Sequence, residues 1–354
     1  MDNMSSFQRL LELTDRPAFY VRGGCILCVN QAAAARMITP DSPVAPMLGA
    51  CRCDYEQFHG GELTLELTVG SVRFCADVER LGEGDLFLLS CENEDAELRS
   101  LALAAQQLRL PLNQILNTAD FLFPRLSAEA PESDRQQLAA MNRSLCQMMR
   151  IVLNMSDAHR SLLPRMELQD ITAVLQEVFD RSTLLLQEAG ITLQFENLPQ
   201  RLLCCIDSSR MERAVYNLIS NALKHSGPGS TITASLTRRN ARLYLTVANS
   251  GTAGLPPAAS GAFSRFLREP GIEDCRNGLG LGLRLVQSAA LAHSGTVLME
   301  PLPDGGMRVT MSIAIRQNTD ELHASPLRID YAGERNHALI ELSDALPGFL
   351  YGWE

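Results

Sequence analysis

The chain has 354 residues, of which 46% are hydrophobic and 20% are charged, a balance that excludes a disordered or fibrous protein and predicts two or three globular domains. Its 31 basic and 41 acidic side chains give a formal net charge of −10, which disfavours non-specific binding to nucleic acid or anionic lipid. The sequence has no apolar run of about 18 residues and no leader-like N-terminus, so we expect a cytoplasmic protein without a membrane span.

Residues 1–91 carry short apolar or alternating runs separated by turn signals, a pattern that predicts a small sheet domain. The stretch from Pro17 to Ala34 predicts two strands that run into an Asn-x-Ala-Ala helix beginning at Asn30. This arrangement resembles the opening of a PAS sensor domain. The resemblance implies a PAS-like sensor domain over residues 1–91.

Four cysteines of this region, Cys25, Cys28, Cys51 and Cys53, offer enough thiolates for a zinc ion or an iron–sulfur cluster. The spacing between the two pairs is not diagnostic of a metal site. The first pair also falls in a predicted strand or hairpin, where neighbouring side chains alternate between faces. Buried structural thiols are the preferred interpretation, and metal binding is the alternative.

Residues 92–163 change to helical periodicity and predict two long amphipathic helices, with a break over residues 124–133. The apolar positions are Leu108, Leu112, Ile115, Ala119 and Leu122 in the first helix, and Leu138, Met141, Leu145, Met148, Val152 and Met155 in the second. One antiparallel hairpin cannot bury both stripes well, so we expect it to dimerise into a four-helix bundle. A helical layer packed against its own domain is the alternative.

Residues 164–316 alternate helices and strands in an order that predicts an α+β sandwich. The expected helices cover residues 168–189, 209–224 and 281–293, and the expected strands lie near 191–195, 202–206, 231–236, 243–248, 296–300 and 307–315. The whole chain is thus predicted to be an α+β multidomain protein. The C-terminal tail over residues 317–354 receives no predicted role.

Two asparagines of the second predicted sandwich helix point to a nucleotide site. Asn217 and Asn221 are four residues apart, so their carboxamides lie on one face of that helix. Amide oxygens suit a hard cation such as Mg²⁺, and Lys224 is close enough along the chain to meet phosphate oxygens. Alone, two asparagines on a helix are more typical of a solvated face.

Glycines at the start of the third predicted sandwich helix strengthen this interpretation. Gly278, Gly280 and Gly282 leave backbone N–H groups bare at a helix N-terminus, where they can cradle phosphates. Two further sequence elements lie between the asparagines and these glycines. They are the stretch from Asn249 through Gly251 and Gly254 to Pro256, and the stretch from Phe263 to Arg268.

These four elements, in this order, resemble the N-box, first glycine box, F-box and second glycine box of sensor histidine kinases. The resemblance covers about residues 168–315 and implies ATP binding with Mg²⁺, under a lid formed by residues 256–278. It implies Asn221 as the metal ligand, Asn217, Lys224 and Arg268 near the phosphates, Gly278, Gly280 and Gly282 along the polyphosphate, and Asn249 at adenine.

Two departures from the family pattern occur in the first glycine box. The family usually has an aspartate where Asn249 stands, and the Asn oxygen can still accept a hydrogen bond but without charge assistance. One residue is also inserted between Gly251 and Gly254 relative to the pattern. We therefore expect weaker and less adenine-selective nucleotide binding.

The first hairpin helix is similar to the family's phosphotransfer motif but lacks its chemistry. Gln106 stands where the resemblance places the phosphoacceptor histidine, Gln107 replaces the adjacent acid, and Leu110 replaces a threonine used in dephosphorylation. An amide nitrogen is delocalised into its carbonyl, so Gln106 cannot act as a nucleophile. Gln107 has no carboxylate to orient or deprotonate an imidazole. No catalytic residue is therefore intact in this helix.

These observations predict a histidine-kinase-like signalling protein, a homodimer through its hairpin, that binds Mg-ATP without phosphorylating itself. Its output would be a change of bundle geometry presented to a response regulator or to a catalytically competent kinase in a mixed dimer. One alternative is an active kinase with another acceptor, either His159 or a partner protein. A second is a nucleotide-free scaffold. His225 and His293, inside predicted helices, are interpreted as structural residues.

Overall fold

The computed structural model describes residue 8 and residues 11–91, 96–158, 164–196, 201–250, 281–303, 305–316 and 336–352. Among the helices of these residues, none is both long and apolar enough to cross a bilayer.

The first region folds into an antiparallel sheet with the strand order β2-β1-β5-β4-β3, and its short helices lie in the chain between β2 and β3. The elements are β1 (Ala18–Arg22), β2 (Cys25–Val29), α1 (Gln31–Ala34), α2 (Ala45–Leu48), α3 (Arg52–Glu56), β3 (Glu62–Val69), β4 (Val72–Leu81) and β5 (Gly84–Cys91). Phe19 and Phe87 stack in the core with ring centroids 4.8 Å apart. The predicted sheet domain is therefore present.

Asn30, the asparagine of the predicted strand-to-helix turn, organises this region. Its Oδ1 accepts hydrogen bonds from the N–H groups of Ala33 and Ala18, both at 2.9 Å, and so caps α1 while holding β1. Its Nδ2 donates to the carbonyl of Arg16 at 2.8 Å. One buried carboxamide thus joins three segments, which explains why an asparagine stands at this point of the sequence.

The predicted hairpin is formed by α4 (Ala96–Glu129) and α5 (Glu132–Ala158). The predicted break over residues 124–133 is wrong, because α4 continues through Pro124 and ends only at Glu129. A proline removes one N–H from the helix ladder, but the turns around it can persist. The chain instead turns at Pro131, whose carbonyl accepts hydrogen bonds from the N–H groups of Asp134 and Arg135 as α5 begins.

The predicted apolar stripe of the hairpin divides into two faces. Leu112, Ala119, Leu145 and Val152 are buried within the chain, whereas Leu108, Ile115, Leu122, Met141 and Met148 are 42–55% exposed. The buried positions join the core of the third region. One hairpin therefore buries part of its stripe within the chain, with Leu138 and Met155 partly buried against the same core, and leaves the other part in solvent.

The third region has the predicted sandwich of helices on a sheet. Its helices are α6 (Ile171–Glu188), α7 (Ser208–Lys224) and α8 (Leu281–Ala292), and its strands are β6 (Glu167–Asp170), β7 (Thr192–Glu196), β8 (Leu203–Ile206), β9 (Thr231–Arg239), β10 (Arg242–Asn249), β11 (Val297–Pro301) and β12 (Met307–Ala314). The helix predicted from Leu168 begins later, because Asp170 caps α6 by accepting from the N–H of Thr172. The residues before this cap form β6 and pair with β8.

Strands β3 and β11 pair antiparallel, so the sheets of the first and third regions form one ten-stranded sheet. Gly61 lies at this seam with φ +87°, and a Cβ there would sit 2.1 Å from the carbonyl oxygen of Met299. Only glycine allows the two backbones to approach this closely. The sequence predicted two separate sheets, and this junction carries no sequence pattern of its own.

Asp54 on α3 reinforces the seam between the two regions. Its side chain is 5% exposed and accepts hydrogen bonds from Arg242 at 2.9 Å, Tyr244 at 2.8 Å, Thr296 at 2.8 Å and Ser312 at 2.9 Å. A buried carboxylate is costly unless it is paired and fully hydrogen-bonded, and each of these four donors comes from the third region.

The C-terminal tail folds onto the helices. Helix α9 (His337–Glu341) and a 3-10 turn (Gly348–Tyr351) follow one another, and Leu342, Leu346 and Tyr351 are buried in the core shared with α5, α6 and α7.

Candidate functional site

Helix α7 is held at its N-terminus by Asp207 and His293. Asp207 accepts a hydrogen bond from the N–H of Arg210 at 3.2 Å, and its own N–H donates to Nε2 of His293 at 3.0 Å. Nδ1 of His293 lies 2.7 Å from the carbonyl oxygen of Ala289, so this nitrogen carries the proton of a neutral imidazole. Burial lowers the pKa of His293. His293 is thus a structural residue, as the sequence predicts.

Asn217 is buried in a network rather than open to solvent. Its Nδ2 donates to the carbonyl of Arg213 at 2.8 Å, and its Oδ1 accepts from Nη2 of Arg150, on hairpin helix α5, at 3.3 Å. Gly282 lies so close that a Cβ there would be 2.7 Å from Asn217 Oδ1. The start of α8 therefore packs directly against α7, as a shared nucleotide site requires.

Asn221 differs from Asn217 in its surroundings. Its side chain is half-buried, and within the part of the chain that the structure describes its carboxamide makes no hydrogen bond. Its oxygen therefore has both lone pairs available for a ligand. Of the two predicted asparagines, Asn221 is the one whose polar atoms the described fold does not use.

Asn249 ends β10 beside the C-terminal end of α7. Its Nδ2 donates to the carbonyl of His225 at 3.2 Å, and its Oδ1 accepts from the N–H of Met307 at 3.3 Å. The side chain is buried and its orientation is fixed by these two contacts. One lone pair of the oxygen remains for a further donor, such as an adenine amino group.

Lys224, in the last turn of α7, forms an ion pair with Asp344 of the C-terminal tail, with 3.3 Å between Nζ and Oδ2. The same oxygen lies 2.9 Å from Nη1 of Arg150. Burial lowers the pKa of Lys224, and the nearby Arg150 charge acts in the same direction while Asp344 opposes it.

The structure thus brings Asn217, Asn249 and Gly282 together around α7, with Asn221 and Lys224 on that helix. The other predicted site residues, Gly251, Gly254, Arg268, Gly278 and Gly280, lie outside the described residues.

Comparison with known proteins gives this region a family. Residues 206–317 match the family described as histidine kinase-, DNA gyrase B- and HSP90-like ATPase. The chain is 29% identical over 240 residues to the sensor protein KdpD of Escherichia coli, which covers 66% of this chain and 26% of KdpD. It is 27% identical over 220 residues to the signal transduction histidine-protein kinase/phosphatase MprB of Mycolicibacterium vanbaalenii, covering 61% of this chain and 45% of MprB. Residues 206–317 are therefore a domain of the histidine kinase-, DNA gyrase B- and HSP90-like ATPase type, in a chain that is similar to sensor and histidine-kinase proteins.

The chain spans less than half the length of these two curated relatives. Among solved structures, full-length ShkA in complex with AMPPNP resembles the chain with a TM-score of 0.46 and 20% identity, over 62% of this chain and 47% of ShkA. The match to the histidine kinase-type ATPase family includes every predicted nucleotide-site residue from Asn217 to Gly282. It includes neither Gln106 nor Asp344.

The residues at the phosphotransfer positions of this histidine kinase-like chain lie on the surface of α4. Gln106 and Gln107 are exposed, and Leu110 is 70% exposed. No packing contact of the described fold therefore requires these residue types. His159, the alternative acceptor, lies outside the described residues.

The four cysteines of the first region do not converge. Cys28 and Cys51 are buried, and burial raises the pKa of both thiols, whereas Cys25 and Cys53 are exposed. Cys25 and Cys28 are three residues apart on β2 and so face opposite sides of the strand. Among the described residues, no group of three or more His, Cys, Asp or Glu side chains could hold a metal ion.

Sequence reasoning missed Arg150, Arg213, Glu341 and Asp344. Arg213 pairs with Asp157 on the hairpin and lies 3.4 Å from the fully buried carboxylate of Glu341. Burial works against ionisation of Glu341, but the charges of Arg213, His337 and Arg150 hold its pKa below the ordinary value. One sequence signal was available, because Arg150 interrupts the apolar run from Met148 to Val152.

Proposed function

We propose that this chain is a cytoplasmic signalling protein of the histidine kinase family that binds Mg-ATP but does not phosphorylate itself. The observation that carries the proposal is the contrast between an exposed glutamine at position 106 and the close packing of Asn217 against Gly282 inside the region that matches the ATPase family. Gln106 has no nucleophilic nitrogen, and Gln107 supplies no general base beside it.

The described residues fit a magnesium nucleotide. Asn221 offers a carboxamide oxygen that no described residue uses, and Lys224 supplies a cation. Gly282, in the first turn of α8, places no side chain between its backbone and α7. Asn217, Arg268, Gly278 and Gly280 complete the phosphate side in this proposal, and Asn249 meets adenine. Bound Mg-ATP would bring a transferable γ-phosphoryl group, for which the residues at positions 106 and 107 offer no acceptor.

The output in this proposal is conformational and depends on a homodimer. The hairpin exposes an apolar face that includes Ile115 and Met148, and a second copy would offer the identical face under two-fold symmetry. The resulting four-helix bundle would present its geometry to a response regulator or to a competent histidine kinase. The PAS-like first region would supply the input, through the sheet and the Asp54 contacts that join it to the ATPase-type domain.

The proposed self-association is tested by the sedimentation mass of the full chain. We expect a dimer, and we expect Ile115→Asp with Met148→Asp to shift it to the monomer mass, because two charges would be buried without partners. Leu184→Asp is the matched control, since Leu184 is 66% exposed on α6 outside the hairpin. A wild-type chain that sediments as a monomer at micromolar concentration would contradict the dimer.

The proposed function is tested by incubating the full chain with γ-labelled Mg-ATP and, separately, by measuring its melting temperature with the nucleotide. We expect Mg-ATP to raise the melting temperature, because a ligand at about 100 times its Kd stabilises the native state by about 2.7 kcal/mol. We expect no acid-labile label. Label mapped to His159, or transfer to an added partner, would instead support an active kinase with another acceptor.

A nucleotide-free scaffold is a second candidate, favoured by one observation. Lys224 on α7 is the cation that this proposal places near the phosphates. In the described structure it is already paired with Asp344 of the same chain. An unchanged melting temperature at millimolar Mg-ATP would favour the scaffold over the nucleotide-binding protein.

A further inference from the structure

The C-terminal tail is docked on the hairpin by directed contacts rather than by apolar packing alone. Asn142 donates from Nδ2 to the carbonyl of Tyr351 at 2.9 Å, and Gln147 donates from Nε2 to the carbonyl of Ser343 at 3.2 Å. Both donors lie on α5. These bonds fix the position of the tail along α5. They therefore also fix the position of Asp344, which follows Ser343 in the chain.

Asp344 points into a pair of cations. Its Oδ2 lies 2.9 Å from Nη1 of Arg150 and 3.3 Å from Nζ of Lys224, and the three side chains are only 4–18% exposed. Without Asp344, two positive charges would face each other with little water to screen them. The two cations therefore form an anion site, with one cation from the hairpin and one from α7.

This anion site adjoins the residues proposed to bind nucleotide. Nη2 of Arg150 contacts Oδ1 of Asn217 at 3.3 Å, and Asn217 in turn lies against Gly282 at the start of α8. A carboxylate and a phosphate have the same charge sign and accept the same kinds of hydrogen bond. A polyphosphate placed beside Asp344 would be repelled, so the two anions cannot share Arg150 and Lys224.

We propose that Arg150 and Lys224 form a phosphate subsite of the nucleotide site, and that Asp344 holds this subsite until Mg-ATP displaces the C-terminal tail. This inference rests on the proposed nucleotide binding and adds an internal competitor to it. The apparent Kd for nucleotide is then raised by the inverse of the fraction of molecules in which the tail is undocked. The tail over residues 336–352 thereby acts as an intramolecular competitor of the nucleotide, through the carboxylate of Asp344.

The test is the Kd of the full chain for Mg-ATP, measured by calorimetry for wild type, Asp344→Asn and Asp157→Asn. Removing the carboxylate charge at position 344 is expected to lower the Kd about tenfold. Asp157→Asn is the matched control, because it removes a carboxylate from the Arg213 ion pair at the same hairpin interface without touching Lys224, and its Kd is expected to stay within about twofold of wild type.

The outcomes separate the two proposals. If none of the three proteins binds Mg-ATP, the proposed function fails and the inference falls with it. If all three bind with equal Kd, the inference alone is overturned. Hydrogen exchange on the wild-type chain adds a readout that needs no variant: saturating Mg-ATP is expected to lower the protection of the amides over residues 337–351. Unchanged protection in the nucleotide-bound protein would overturn the displacement of the tail.

Discussion

The two regions whose sequences resemble the motifs of sensor histidine kinases differ in how tightly the fold constrains them. On α4, Gln106 and Gln107 project into solvent, so their identities can change without cost to packing. Around α7, Asn217 and Asn249 are buried and hydrogen-bonded to neighbouring elements. The comparison teaches that a residue that matches a family motif is weaker evidence for ligand binding where it is buried, because the fold itself can require it there. A match at a position where the fold does not use the polar atoms is stronger evidence. Asn221 is the informative residue of the site, because no described contact accounts for it.

The largest expected effect separates Asn217 from Asn221. Asn217→Ala removes the buried hydrogen bonds that its carboxamide makes with the Arg213 carbonyl and with Nη2 of Arg150, so we expect it to lower the free energy of unfolding by about 1–3 kcal/mol. Asn221→Ala is expected to change it by less than about 0.5 kcal/mol while abolishing the Mg-ATP-induced rise in melting temperature. Urea denaturation with and without nucleotide measures both. Equal destabilisation by the two variants would remove the distinction.

A pH dependence sharpens the same comparison. Burial lowers the pKa of both His225 and His293 in the ATPase-type domain, whereas the described part of the hairpin contains no histidine. Below about pH 6.5 these two imidazoles are protonated in the unfolded chain, whereas in the native domain they become protonated only at lower pH. The free energy of unfolding should therefore fall as the pH drops below 6.5, by at most about 1.4 kcal/mol per pH unit for each histidine.

This pH effect is measured by chemical denaturation between pH 7.5 and 5.5, a range above the ordinary pKa of carboxylates. His293→Gln is the matched variant. A glutamine oxygen can still accept the Asp207 N–H but does not titrate, so the slope with pH should become shallower. A variant with the wild-type slope would show that His293 does not contribute.

The smallest expected effect on stability lies at the phosphotransfer positions. Gln106→His with Gln107→Glu alters two exposed side chains and should change the free energy of unfolding by less than about 0.5 kcal/mol. We expect this variant to gain acid-labile label from γ-labelled Mg-ATP, since it restores a nucleophile and a base. Gln107→Glu alone is the control and should gain none. A double variant that binds Mg-ATP but stays unlabelled would show that the residues at positions 106 and 107 do not by themselves decide whether the chain phosphorylates itself.

Much of the fold could be predicted because it depends on local signals. Alternation in β9 and β10, the Asp207 cap of α7 and the periodicity of the hairpin are all readable along the chain. The errors have different causes. Helix α4 passes through Pro124 because neighbouring turns outweigh one missing hydrogen bond. Strand β6 has no local signal because it depends on pairing with β8, more than 30 residues away.

For the candidate site, the sequence predicts only those residues that lie within a family motif. Asn217, Asn221, Lys224 and Gly282 follow from their spacing and their resemblance to the N-box and second glycine box. Arg150 and Asp344 reach the same place from about 70 residues before and 120 residues after Lys224, so no spacing rule connects them. Their contact is a property of the packed tertiary structure, and only the burial of a charged pair identifies it.

The shared sheet has a consequence for how such a protein can be assembled from parts. Strands β3 and β11 cover each other's open edges, and Asp54 finds all of its donors across the same seam. Either half alone would expose unpaired backbone groups on a strand edge, the kind of surface on which foreign strands add. The first region is therefore not an interchangeable module. A new sensor in its place would need a strand edge matched to β11 and an acid opposite Arg242 and Tyr244.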